Sequence, residues 1–200
     1  MKTSGIDVSR PIKGGQEFFT WPKKEKCIRM EGKGYAIREW RFSDCESLAF
    51  QANNGKIWEN VMDHFPHPYT RRDAMNYIRM VRAMPGPPMR FAIEIDGKAA
   101  GSIGFSSEGD IERVTAEIGY WLGEEYWGRG IMSGVVEQTA RYAFATFPFG
   151  KLFAYVFDYN TASMKVLEHA GFKLEAVLHK AAIKNNRLID FYYFSKMRED

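Results

Sequence analysis

One segment limits what this chain can fold into more than any other. Glu117–Met132 reads EIGYWLGEEYWGRGIM. Its first half is a strand pattern that leads into a tight turn holding Gly128 and Gly130. A long helix follows at once: Met132, Val135, Val136, Thr139, Ala140, Ala143, Phe144 and Phe147 recur at helical spacing, and Pro148 and Gly150 stop it. A helix start carries unsatisfied N–H groups and partial positive charge, and glycines let a ligand approach the backbone closely. A diphosphate is the natural occupant of such a turn. Glycines that merely turn the chain would give the same string.

The form of the turn narrows the diphosphate. No G-x-x-x-x-G-K-[ST] occurs, so a P-loop is excluded. A dinucleotide fingerprint needs G-x-G-x-x-G, but Ser133 occupies the third glycine's place and Gly134 comes one position late. The acidic residue ending the next strand, Asp158, lies beyond the expected spacing of about 20 residues. A nicotinamide-dinucleotide oxidoreductase therefore survives only as an alternative.

The rest of the chain supplies a mixed sheet around this segment. Strands are predicted at Tyr35–Trp40, Phe91–Ile95 and Lys98–Phe105, the last two around the hairpin signal Asp96-Gly97. Another covers roughly Arg113–Leu122, and further strands follow at Leu152–Phe157, Phe172–Leu178 and Leu188–Lys196. Asp44 is placed to cap a helix running to Ala52. Trp58–Phe65 forms a second helical patch, and Thr70 opens a helix over Arg71–Met84 that PGPP stops. Thr161–Ala170 is a helix with Gly171 at its end. The fold class is α/β with a mixed sheet: an antiparallel meander, a βαβ unit and a closing hairpin, in one domain over 34–198. Residues 1–33 read as an N-terminal extension.

Composition excludes several functions. The 200 residues are 45% hydrophobic, which supports a core and argues against disorder. A net charge of +3 from 28 basic and 25 acidic residues is too balanced for a nucleic-acid coat, and no basic aromatic stripe suits RNA. No apolar run approaches a membrane span, and the first residues lack a secretory stretch. Cys27 and Cys45 form neither a disulfide framework nor a zinc set, so a reduced cytoplasm is the expected compartment.

Two motifs together carry a resemblance. Glu125-Tyr126-Trp127-Gly128-Arg129-Gly130 is similar to the [QR]-x-x-G-x-[GA] turn of the GNAT superfamily of acetyl-CoA-dependent N-acetyltransferases, with Glu in the first place. Asn160-Thr161-Ala162-Ser163, followed by Gly171-Phe172, resembles that family's N-x-x-S helix start and its G-F helix end. Over roughly Tyr35 to Lys196 the chain resembles the RimJ/RimL branch, which acetylates ribosomal-protein N-termini. The resemblance implies a GNAT fold and transfer of acetyl from acetyl-CoA to a primary amine in a direct ternary complex without a metal. The acceptor is left open between a protein N-terminus and a small-molecule amine. A GNAT-like protein that binds acyl-CoA without turnover is the second alternative. Edge strands and many aromatics are compatible with a homodimer.

The resemblance also assigns roles. Main-chain groups of Tyr120, Trp121 and Leu122 are expected to meet the pantetheine arm, in a slot where their strand splays from Leu152–Phe157. Amides of Trp127, Gly128, Arg129, Gly130, Ile131 and Met132 are expected to hold the pyrophosphate, and Asn160 to bind the coenzyme, with helix capping as an additional duty. Arg129 either adds charge to a phosphate or is a solvated helix-start arginine. Ser163 is the candidate acid for the leaving thiolate; a Ser near a helix start also serves as a cap. Glu117, on a face with Gly119 and Trp121, is the candidate base or an ordinary strand-surface Glu. The Glu of the final hairpin in some ribosomal-protein members is matched here by Ala182. Trp58, Phe65 and Tyr69 are expected at the acceptor pocket, while His64 and His67 read as surface.

Overall fold

The computed structural model describes residues 27–199. Its mixed sheet consists of β1 (Arg29–Gly32), β2 (Tyr35–Arg38), β3 (Arg90–Ile95), β4 (Lys98–Ser107), β5 (Thr115–Leu122), β6 (Lys151–Phe157), β7 (Lys173–Lys184) and β8 (Arg187–Met197). Their spatial order is β1-β2-β3-β4-β5-β6-β8-β7. Helices α1 (Cys45–Ala52), α2 (Gly55–Trp58) and α3 (Arg71–Ala83) lie between β2 and β3. Helix α4 (Ile131–Thr146) joins β5 to β6, and α5 (Thr161–His169) joins β6 to β7. Every ladder is antiparallel except β5–β6. This is the expected meander, crossover and closing hairpin.

Period two sorts side chains into two cores. Phe91 and Ile93 of β3 join Ile103, Ile118 and the α4 residues Val135 and Val136 on one face. Ala92, between them, joins Leu48 of α1 and Ala74 and Ile78 of α3 on the other. Each large apolar side chain taken from water contributes about 1.5–3 kcal/mol. Helices are thereby fixed to both faces, and the strands between them become a rigid support for a site.

Several expectations are corrected. Asp44 stands at the N-cap of α1, as expected, but its side chain makes no cap bond; it ends a 3-10 turn, and both its oxygens accept from the buried Arg38 guanidinium at 2.7 and 2.8 Å. A buried cation requires such a partner, and that need outweighs a cap. The helical patch expected at 58–65 is a loop; the short helix α2 lies just before it and shares only Trp58, and Asn54 caps it by accepting from Lys56 N at 2.8 Å. Its last residue, Trp58, stacks on His67, and Phe65 beyond it packs at a tilt on Tyr69. The closing hairpin runs longer than expected, because Asn185 and Asn186 both take the left-handed conformation of a two-residue turn. A register shift between Leu178 and Ala182 breaks the period-two signal that would have revealed it. The boundary at residue 33 also falls inside a hairpin, since β1 pairs with β2 through Gly32↔Tyr35. The remainder of that extension, 1–26, lies outside the described residues.

One irregularity bears directly on function. Strands β5 and β6 pair only at Thr115↔Lys151, Ala116↔Leu152 and Glu117↔Phe153. Strand β5 then continues to Leu122 against β4, and β6 to Phe157 against β8. Past Glu117 they part, and their facing edges have no ladder partner.

Candidate active site

The parting of β5 and β6 opens a groove of about 1460 Å³. It holds together all of the residues singled out above for catalysis and coenzyme binding: Glu117, Tyr120–Leu122, Trp127–Met132, Asn160 and Ser163 all line it.

At one end stands the glycine turn. Gly128 and Gly130 take φ values of 73° and 71°, and a Cβ added to either would meet no protein atom within 4 Å. The conformation thus favours glycine, and the space before it is open. Gly130 is the N-cap of α4 and offers no side-chain cap, so the first N–H groups of the helix lack the usual internal partner. Met132 is buried in the core. Arg129 donates to Glu125 O at 2.7 Å and lies over the Tyr126 ring, exposed. Glu125 accepts from Gln51 of α1 at 2.6 Å, and Trp127 Nε1 donates to Leu122 O at 2.7 Å. The latter bond engages one of the carbonyls expected to serve the pantetheine arm. Glu124 is held by Lys56 and by Asn54, the latter at 2.8 Å, and these partners keep its carboxyl below the ordinary range.

Midway along the groove, Ser163 meets Tyr120. Asn160 caps α5 by accepting from Ser163 N at 3.1 Å, so the capping duty belongs to Asn160 and not to Ser163. The Ser163 hydroxyl is instead 2.8 Å from Tyr120 Oη. Burial pushes the Tyr120 phenol well above its ordinary value, against the opposing effect of Ser163. Sequence reasoning gave Tyr120 a backbone role only; its period-two partition from Glu117 and Gly119 was the available sign that its side chain points elsewhere.

At the other end lie Glu117, Gly119 and Trp121 on one face of β5. Burial raises the Glu117 carboxyl above the ordinary range, and the nearby Glu108 adds to the shift. Phe65, Tyr69 and His64 line this region; Trp58 does not line the groove but sits under Lys184 Nζ at 4.0 Å from its ring centroid. The expected place of Trp58 is thus corrected: its ring is occupied by a cation and by His67. The loop after α2 is pinned by two residues through three bonds. Tyr159 Oη donates to Glu59 O at 2.6 Å, Lys184 Nζ donates to Val61 O at 2.9 Å, and Lys184 pairs with Asp63 at 2.6 Å. Nothing in local sequence announced these long-range ties.

Comparison with known proteins agrees with this architecture. The family model "Acetyltransferase (GNAT) domain" matches residues 35–173. A protein of Bacillus subtilis (strain 168), "Probable N-acetyltransferase YjcK", is 41% identical over 157 residues, covering 76% of this chain and 87% of its own length. Among solved structures, RimL, a ribosomal-protein α-N-acetyltransferase in complex with coenzyme A, shares the fold with a TM-score of 0.73 at 19% identity. The match covers 86% of this chain and 98% of RimL. The microcin self-immunity acetyltransferase MccE, in complex with acetyl-CoA and AMP, gives 0.71 at 23% identity over 84% of this chain and 94% of its own. With β5 parted from β6 beside an uncapped glycine turn, and a family match over most of its length, the chain belongs to the GNAT acetyltransferase family and is an N-acetyltransferase.

Proposed function

We propose that the protein transfers the acetyl group of acetyl-CoA directly to a primary amine within a ternary complex. The observation that carries this reading is the continuity of three features in one groove: the unpaired edge of β5, the open left-handed glycine turn, and a hydroxyl pair between them. RimL and MccE, which share the fold, are described with coenzyme A and acetyl-CoA, and this supports the choice of coenzyme.

In this reading the amides from Trp127 to Met132 receive the pyrophosphate at the start of α4, where the helix dipole favours negative charge. The free edge of β5 takes the pantetheine arm, and Asn160 adds a coenzyme contact while it caps α5. The amine nitrogen attacks the thioester carbonyl, forming C–N as C–S breaks. The proton lost by nitrogen goes to the Glu117 carboxylate, directly or through water. The leaving sulfur takes the Ser163 hydroxyl proton, Tyr120 Oη passes its own proton to Ser163, and Tyr120 regains one from solvent. Over a full turn one amine and one thioester become one amide and one thiol, and Glu117 returns its proton to solvent. Holding both substrates in line supplies much of the rate.

Thiol release with acetyl-CoA and varied amines tests the reading. Initial-velocity lines that intersect support direct transfer; parallel lines would indicate an acetylated enzyme. Acetyl-CoA binding without thiol release across a broad amine panel would reduce the protein to a coenzyme-binding one.

A further inference from the structure

The acceptor half of the groove contains a cation that the mechanism above leaves unused. Arg90 opens β3 and lies across Gly104 of β4, where an added Cβ would meet Arg90 Cγ at 2.9 Å. Its Nη2 donates to Ser106 Oγ at 3.1 Å. Among the described residues Arg90 has no carboxylate partner, whereas the groove's Lys56 pairs with Glu124. Hydroxyls surround it: Tyr77 Oη and Ser102 Oγ lie 3.2 Å apart, and the guanidinium acts on the Tyr77 phenol against the effect of burial. Arg90, Tyr77, Ser102 and Ser106 all line the groove. A half-buried guanidinium among hydroxyl groups, with no carboxylate, is a site short of an anion.

The sheet register sets where that anion would lie. Gly104 faces Gly119, and Ser106 faces Glu117, across the β4–β5 ladder. Between Arg90 and Glu117 the floor is therefore two glycines and one small hydroxyl. Strands β3 and β5 are roughly 10 Å apart, two strand spacings. The Arg90 side chain leans across β4 to Ser106, the ladder partner of Glu117, so cation and carboxylate flank an open floor on which the two charged ends of a short zwitterion can each find a partner. The walls are Phe65, Tyr69, Trp121 and Met80, beneath the pinned loop after α2.

Building on the acetyl-CoA reading, we propose that the acceptor is a free amino acid with a large apolar side chain, its carboxylate held by Arg90 and its α-amine presented to Glu117. A protein N-terminus lacks this carboxylate, which peptide-bond formation has converted to an amide. The guanidinium therefore selects against the macromolecular acceptor.

The test is acetyl transfer to L-methionine and L-phenylalanine against their carboxamides, by thiol release at saturating acetyl-CoA. The acid should exceed the amide in kcat/KM by about 10- to 100-fold, the worth of a hydrogen-bonded charge. Most of the difference should lie in KM. In Arg90→Gln the acid-to-amide ratio should fall to near one, and Arg90→Lys should restore part of it. Equal use of acid and amide by the wild type would overturn the proposal. So would an unchanged ratio in Arg90→Gln, or no transfer to either acid by protein that acetyl-CoA still stabilises against heat. That stabilisation, measured on wild type and variants, also reports folding. Its absence from the wild type would instead refute the acetyl-CoA reading.

Discussion

The two ends of the groove are made of different material. The end we assign to the coenzyme is mainly backbone: the unpaired edge of β5, two glycines at φ near 70° and the first amides of α4. The end we assign to the acceptor is made of side chains from β3, β4, β5, α3 and the loop after α2. A backbone site depends on few residue identities and serves one invariant ligand. A side-chain site can change its acceptor without disturbing the first. Substitutions at the two ends should therefore move different observables, and each prediction below can break that division.

The largest effect is expected at the turn. Gly130→Val places a branched side chain where an added Cβ meets only open space, at a φ of 71°. The strain costs about 1–2 kcal/mol, and the protein stays folded by circular dichroism. Acetyl-CoA affinity measured by calorimetry should fall about 100-fold or more as the amides and the helix end are blocked. Normal affinity in a folded Gly130→Val protein would mean that the turn does not hold the pyrophosphate.

Next come the hydroxyls. Ser163→Ala and Tyr120→Phe should each lower kcat by about 10²-fold while acetyl-CoA affinity changes little. Because the two oxygens are 2.8 Å apart and act on one proton, the double variant should lose much less than the product of the single losses. Multiplicative losses would separate the two residues.

At the acceptor end, Glu117 predicts a pH dependence. As a base it works only when ionised, and burial raises its carboxyl above the ordinary range, so kcat/KM should climb with pH through that raised value. Glu117→Gln should lower the plateau and remove this limb, leaving coenzyme affinity unchanged. The stability effect has the opposite sign. With the folded value above the unfolded one, the folded state binds more protons. Stability from this group is complete below the ordinary carboxyl value and is lost as pH rises through the raised one. Glu117→Gln should therefore unfold at a higher temperature than wild type near neutral pH.

The smallest effect belongs to the cap. Asn160→Ala removes the bond to Ser163 N and should cost about 1 kcal/mol, a fall in Tm of about 2–4 °C. A coenzyme contact would add a weaker affinity for acetyl-CoA; an unchanged affinity would leave Asn160 a cap alone.

The same division explains what was legible in the sequence. Gly128 and Gly130 could be read because left-handed backbone before a helix leaves a local signature, and Asp96-Gly97 because a two-residue turn does too. Asn160 and Ser163 could be read because a helix start has a short vocabulary. Tyr120 reaching Ser163, and Arg90 crossing Gly104 to Ser106, depend on strand register and on the parting of β5 from β6. No local pattern encodes either one. The position of Asp44 at the start of α1 was legible, but its side-chain partner was not: that is the buried Arg38, and burial of a particular cation is decided by the tertiary fold. Trp58 at the end of α2 and Phe65 in the loop after it stand at helical spacing, yet Trp58 packs against Lys184 and His67 and Phe65 against Trp121.

The central claim is that the groove between β5 and β6 receives acetyl-CoA. Thermal unfolding of the purified protein with acetyl-CoA, and separately with NAD, tests it most directly. A ligand at 100 times its dissociation constant adds about 2.7 kcal/mol to the folded state, which a melt resolves readily. The account predicts a higher Tm with acetyl-CoA and none with NAD. A rise with NAD alone would contradict it and make the turn between β5 and α4 a dinucleotide site.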